Sequence, residues 1–176
     1  MDTTFTLTYS NDDDRAYGLA GMTISLAALD ALDRVASVSL DSDGPMVTFS
    51  HEYYFSGSPS ISPKASWNNM VRNFHLTSAM VLSNVMARSL VRLGTDVPIE
   101  VLRRVREEIE AEGRDSCSLD EDESDEIFTR VNSYMRRIFR NERLHPAIDE
   151  FVRTLSRRRT LSGGEIADEL RLLQII

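Results

Sequence analysis

The stretch over residues 66–94 leaves this chain the fewest choices. Pro63 stands just before it and Gly94 closes it, the usual punctuation of a long helix. At about 100° of rotation per residue, Trp67, Val71, Phe74, Val81, Leu82, Val85, Met86, Leu90 and Leu93 share one broad apolar arc. Asn69, Asn73, Thr77, Asn84 and Arg88 form a narrower polar stripe opposite, which Met80, Ala87 and Val91 interrupt. A helix this apolar predicts cover on most sides, and so a core element on which the other segments pack. Asn73, His75, Asn84, Arg88 and Arg92 break the run and exclude a membrane span.

Upstream, Phe5, Leu7 and Tyr9 alternate with Thr4, Thr6 and Thr8, which predicts a strand. Asn11 followed by Asp12, Asp13 and Asp14 predicts a capped, acid-first helix over about residues 15–33, with Gly18 and Gly21 weakening its start. Residues 35–40 and 46–51 read as a hairpin joined by Asp41-Ser42-Asp43-Gly44-Pro45. Residues 56–65 are small, polar and proline-punctuated, a loop dividing a strand-bearing front part, 1–55, from an all-helical part, 66–176.

In the helical part, Thr95 or Asp96 is placed to cap a helix running from Pro98 to a stop at Gly113. The acidic tract 120–126 opens the next helix, whose stripe is Ile127, Phe128, Val131, Tyr134, Met135 and Ile138. Pro146 restarts the chain with Ile148, Phe151, Val152 and Leu155 inward, and Ser162 with Glu165 forms a capping box for a last helix. The prediction is one α+β domain over residues 1–176: a small sheet from strand, helix and β-hairpin, then a helical bundle around one long central helix.

Composition narrows function by exclusion. The chain is 41% hydrophobic and 27% charged, the profile of a soluble globular protein. Its net charge of -8 argues against a surface built throughout for nucleic acid. Cys117 is the only cysteine, so no intrachain disulfide forms, which fits a reducing compartment. Residues 1–4 carry no secretory pattern, and the expectation is a cytoplasmic protein.

No motif reaches a catalytic signature. Leu161-Ser162-Gly163-Gly164-Glu165 resembles the signature loop of ABC-type ATPases, but the companion Gly-x-x-x-x-Gly-Lys-Ser/Thr loop is missing, and a capped helix start is the favoured reading. Asp41, Asp43 and Glu52 fall in a calcium-loop frame that Pro45 and Met46 spoil. His51, His75 and His145 show no metal-ligand spacing, so no metal or cofactor is implied. Cys117 lies among acids that raise a thiol's pKa, which disfavours a nucleophile.

Three functional expectations follow, and the first leans away from an enzyme. It is an interaction or regulatory protein that binds a protein partner or itself, as a homo-oligomer, through Leu172, Leu173, Ile175 and Ile176. The second is a small-molecule or enzymatic pocket lined by His51, Glu52, Tyr54, Trp67, Arg72 and His75, with packing as its bland rival. The third and weakest is nucleic-acid binding through Arg136, Arg137, Arg140 and Arg157. They belong to a block of local balance +5 over residues 134–160 that follows one of -5 over 114–133. Opposed blocks of this kind more often neutralise each other, and no aromatics interleave these arginines.

Overall fold

The computed structural model of the protein describes residues 6–50 and 62–176. Helix α1, Asp12–Ala28, starts where Asn11 accepts the Asp14 amide at 2.8 Å, with three aspartates in its first turn. From Asp14 to Leu26 only Arg15, Tyr17 and Met22 are less than fully buried. The predicted helix thus exists but ends earlier, because Asp30 turns left-handed at φ 53° and the Ala31 amide returns to the Leu26 carbonyl at 2.8 Å. Asp30 is exposed, so Asp30→Gly is expected to relieve backbone strain and stabilise the fold by about 0.5 kcal/mol net of glycine's unfolded-state entropy. A urea midpoint unchanged or lowered would contradict this.

The hairpin forms as predicted: β1, Val35–Ser39, pairs antiparallel with β2, Val47–Phe49, Val38 opposite Val47. The turn between them is organised by the Ser42 hydroxyl, which donates to the Pro45 carbonyl and accepts the Gly44 amide. A third strand, β3, Thr160–Ser162, pairs with the other edge of β1 and sets Leu161 opposite Val38. The sheet order is β2-β1-β3. The predicted first strand does not form over its described part, residues 6–9. There the Thr6, Leu7 and Thr8 carbonyls all turn to one guanidinium, that of Arg88, whereas consecutive carbonyls of a strand point to opposite sides.

The long helix is α2, Pro63–Met86, running on through a π-helical turn, Ala87–Arg92, to Gly94 at φ 64°. Its second half is core, including Leu82, Val85 and Met86. Its first turns are not: Trp67 is 46% and Met70 42% exposed, so the apolar arc reaches the surface there. The polar stripe fails in the opposite sense at Arg88, which is 1% exposed.

Helix α3, Ile99–Cys117, follows Pro98 without a side-chain cap. Thr95 instead closes a turn back onto Ser89, and Asp96 pairs with Arg140 at 2.6 Å. Gly113 does not stop this helix; it lets α3 press on Phe74, and Ser118 at φ 53° ends it. Helix α4, Glu121–Phe139, opens on a reciprocal box between Asp120 and Glu123 and buries Phe128, Val131, Met135 and Phe139. Helix α5, His145–Arg158, buries the four predicted residues. Helix α6, Gly163–Leu172, starts on the Ser162–Glu165 box. Among the described residues the architecture is α+β, a three-stranded antiparallel sheet with a helical bundle.

Candidate functional site

Positions 68, 72 and 75 recur at helical spacing along α2, and that face meets α4. Asn68, Val71, Arg72 and His75 from α2 and Ile127 and Arg130 from α4 line a crevice of 320 Å³. Val71 and Ile127 are half-buried, and the Arg72 and Arg130 side chains reach solvent. Arg130 pairs with Glu126, one turn before it. Arg72 makes no ion pair among the described residues. Burial pushes the His75 imidazole below its ordinary pKa and the Arg130 charge adds to this, so the ring is neutral at pH 7. A neutral imidazole beside two guanidiniums can receive an anion.

Of the predicted pocket, the structure joins Arg72 and His75. Trp67 is excluded because it precedes Arg72 by five residues, a rotation of about 140°. Its indole N–H points instead to the Cys117 carbonyl at 3.4 Å. His51, Glu52 and Tyr54 lie outside the described residues. Arg130 carries no signal in the sequence: Ile127 belongs to the visible stripe of α4, but which helix that stripe meets is not written locally.

A denser polar constellation surrounds Arg88. Its guanidinium grips Asp14 with two bonds, Nε to Oδ1 at 2.8 Å and Nη2 to Oδ2 at 2.7 Å. It also donates to the carbonyls of Thr6 at 2.8 Å, Leu7 at 3.2 Å and Thr8 at 3.0 Å, and lies 4.8 Å from the Tyr9 ring centroid. Arg92 adds a bond to Asp14 at 3.2 Å and one to Asp13 at 2.7 Å. Burial alone would push the Asp14 carboxyl up, but the Arg88 bond, the Ser10 amide and the two arginine charges together hold it below the usual range. This constellation is closed by its own partners and fastens residues 6–10 to the bundle.

No protein-family model and no curated protein sequence matches the chain.

The remaining sequence candidates resolve into structure. At the Gly-Gly start of α6 the first glycine is spent on packing: a Cβ on Gly163 would stand 2.2 Å from the Val35 carbonyl oxygen, whereas one on Gly164 would meet open space. The Ser162 amide and hydroxyl, then Arg158, hold the Glu165 carboxyl down at about 2, so this helix start carries its own carboxylate. Asp41 of the calcium-loop frame accepts from Arg159, which also holds Asp12. Cys117 is buried, and burial then the Glu112 charge raise its thiol. Arg140 pairs with Asp96, Arg137 lies over Tyr134 at 5.3 Å, and Arg136 is half-buried. Arg157 sits apart on α5, in a groove it shares with Asp13 and Asp149. Among the described residues no three His, Cys, Asp or Glu gather as metal ligands, and no helix is long and apolar enough to cross a membrane.

The end of α6 presents a different surface. Gln174 turns left-handed at φ 56° and the Ile175 amide returns to the Leu170 carbonyl at 2.9 Å, a Schellman closure. It tucks Leu173 and Ile175 against the core and leaves Leu172 77% and Ile176 49% exposed. Ile176 also lines a recess of 660 Å³, with Ala27, Leu32, Val35 and Ala36 among its apolar walls and Asp30, Asp33 and Arg171 among its charged ones.

Proposed function

We propose that this chain is a non-enzymatic interaction or regulatory protein of the cytoplasm that associates with a second copy of itself through the α6 face. The observation that carries the reading is a pair of outward aliphatic side chains at the end of α6, Leu172 and Ile176, the second of which walls a recess of mixed lining, with Ala27, Leu32, Val35 and Ala36 beside Asp30, Asp33 and Arg171. Projection and recess on one face can be self-complementary under a two-fold axis. Withdrawing a fully exposed large aliphatic side chain from water contributes about 1.5–3 kcal/mol; with Leu172 77% and Ile176 49% exposed, the two supply roughly 4–8 kcal/mol per dimer. Association costs about 4–15 kcal/mol, so these two side chains alone give at most a weak dimer, to which contacts in the recess must add.

Sedimentation over a concentration series tests this. The protein is expected to move from monomer to dimer, and Leu172→Glu to hold it monomeric with unchanged helicity, since that side chain is 77% exposed. A monomer at every concentration, or a dimer indifferent to Leu172→Glu, would overturn the reading.

A further inference from the structure

We propose that the crevice between α2 and α4 is a binding site for a small organic carboxylate, held between the Arg72 and Arg130 guanidiniums over a floor of Val71 and Ile127. This is independent of self-association, which uses another face.

The chemistry follows from the lining. Two guanidiniums on opposite walls can each present a planar fork of N–H donors, the geometry that matches a carboxylate. Arg130 already accepts such a group, because Glu126 pairs with it. That pair is open to solvent, with side chains 64% and 70% exposed, so exchanging it for a ligand sacrifices little. Val71 and Ile127 give the body of an organic acid an apolar surface that inorganic anions cannot use. At 320 Å³ the crevice is at the small end of ligand pockets, which run from about 300 to 1,000 Å³. His75 supplies an imidazole at the same wall, and Asn68 an amide, for a hydroxyl or a second oxygen. The protein's charge of -8 repels anions at long range, so a carboxylate that binds does so by this local arrangement.

Benzoate is the probe, titrated into the full chain at low ionic strength while the His75 ring resonances are followed by NMR and assigned with His75→Gln. The expected result is a saturable shift of the His75 ring, at least tenfold weaker in Arg72→Ala and in Arg130→Ala and unchanged in Leu172→Glu. Both arginine side chains are exposed, so these variants keep the fold, which circular dichroism verifies. Absence of saturation, or equal responses in wild type and both arginine variants, would overturn the site. Inorganic phosphate producing the same shift as benzoate at matched ionic strength would overturn the assignment to an organic acid.

Discussion

Arg88→Ala is expected to lower the unfolding free energy by about 3–5 kcal/mol, the usual result of removing one partner from a buried ion pair. The side chains of Arg88 and Asp14 are 2% and 3% exposed, so the carboxylate left behind has little water to replace its two charge-assisted bonds. The Thr6, Leu7 and Thr8 carbonyls lose their donor at the same time, and residues 6–10 should become accessible to protease. Asp14→Asn keeps the shape and removes the charge; it should lose a smaller part of the same energy. Acid titration separates the two contributions. The folded Asp14 carboxyl is held below its unfolded pKa of about 4. Its stabilising contribution is therefore complete above that value and fades as pH falls through the folded one. Wild type should lose stability below about pH 4 more steeply than Asp14→Asn. Urea midpoints of the three proteins across that window test this; a loss below 1 kcal/mol for Arg88→Ala would refute a structural role for the pair.

The second large effect is expected at Gly21, where α1 crosses α2 with backbones in contact. A Cβ there would stand 2.2 Å from the Ser83 carbonyl oxygen and 2.8 Å from the Ala87 Cβ. A backbone carbonyl inside a helix cannot swing aside, so the helices must separate and loosen Leu19, Leu82 and Met86, which are fully buried. Overpacking costs typically about 1–3 kcal/mol and sometimes more, while alanine's better helix propensity returns about 1. Gly21→Ala should destabilise by about 2 kcal/mol or more on balance. Gly164→Ala is the matched control: nothing lies within 4 Å of its added Cβ, so it should be neutral or slightly stabilising. If Gly21→Ala proved the more stable, the close crossing would be wrong.

Gly21 also illustrates what a sequence conceals. Two glycines early in α1 read as weakness by propensity, yet both mark close approach, Gly18 to the Asn84 side chain and Gly21 to the Ser83 backbone. Where local chemistry decides structure, the sequence pattern suffices: the acidic opening and stripe of α4, the inward residues of α5, the Ser162–Glu165 capping box and the β1–β2 hairpin are all present. It fails where a distant partner decides. The alternation at residues 4–9 is genuine strand chemistry, but a buried guanidinium recruits consecutive carbonyls. A helical wheel puts Arg88 on a polar stripe because it cannot know that Asp14 waits on that side. The apolar arc points Trp67 inward, yet an arc does not state how much of its length is covered. The candidate crevice was half visible: Arg72 and His75 share a face of one helix by spacing, whereas Arg130 joins them only through the packing of α2 on α4.

Strand β3 bears on how the molecule comes into being at the ribosome. The middle strand of the sheet, β1, meets β2 within a few residues of synthesis, but its other edge stays vacant until translation has passed through Ser162. For that interval a nascent chain offers an unpaired row of amides and carbonyls to any neighbour able to add a strand. Closing the sheet joins the earliest third of the polypeptide to its last, and such a distant union makes for slow maturation.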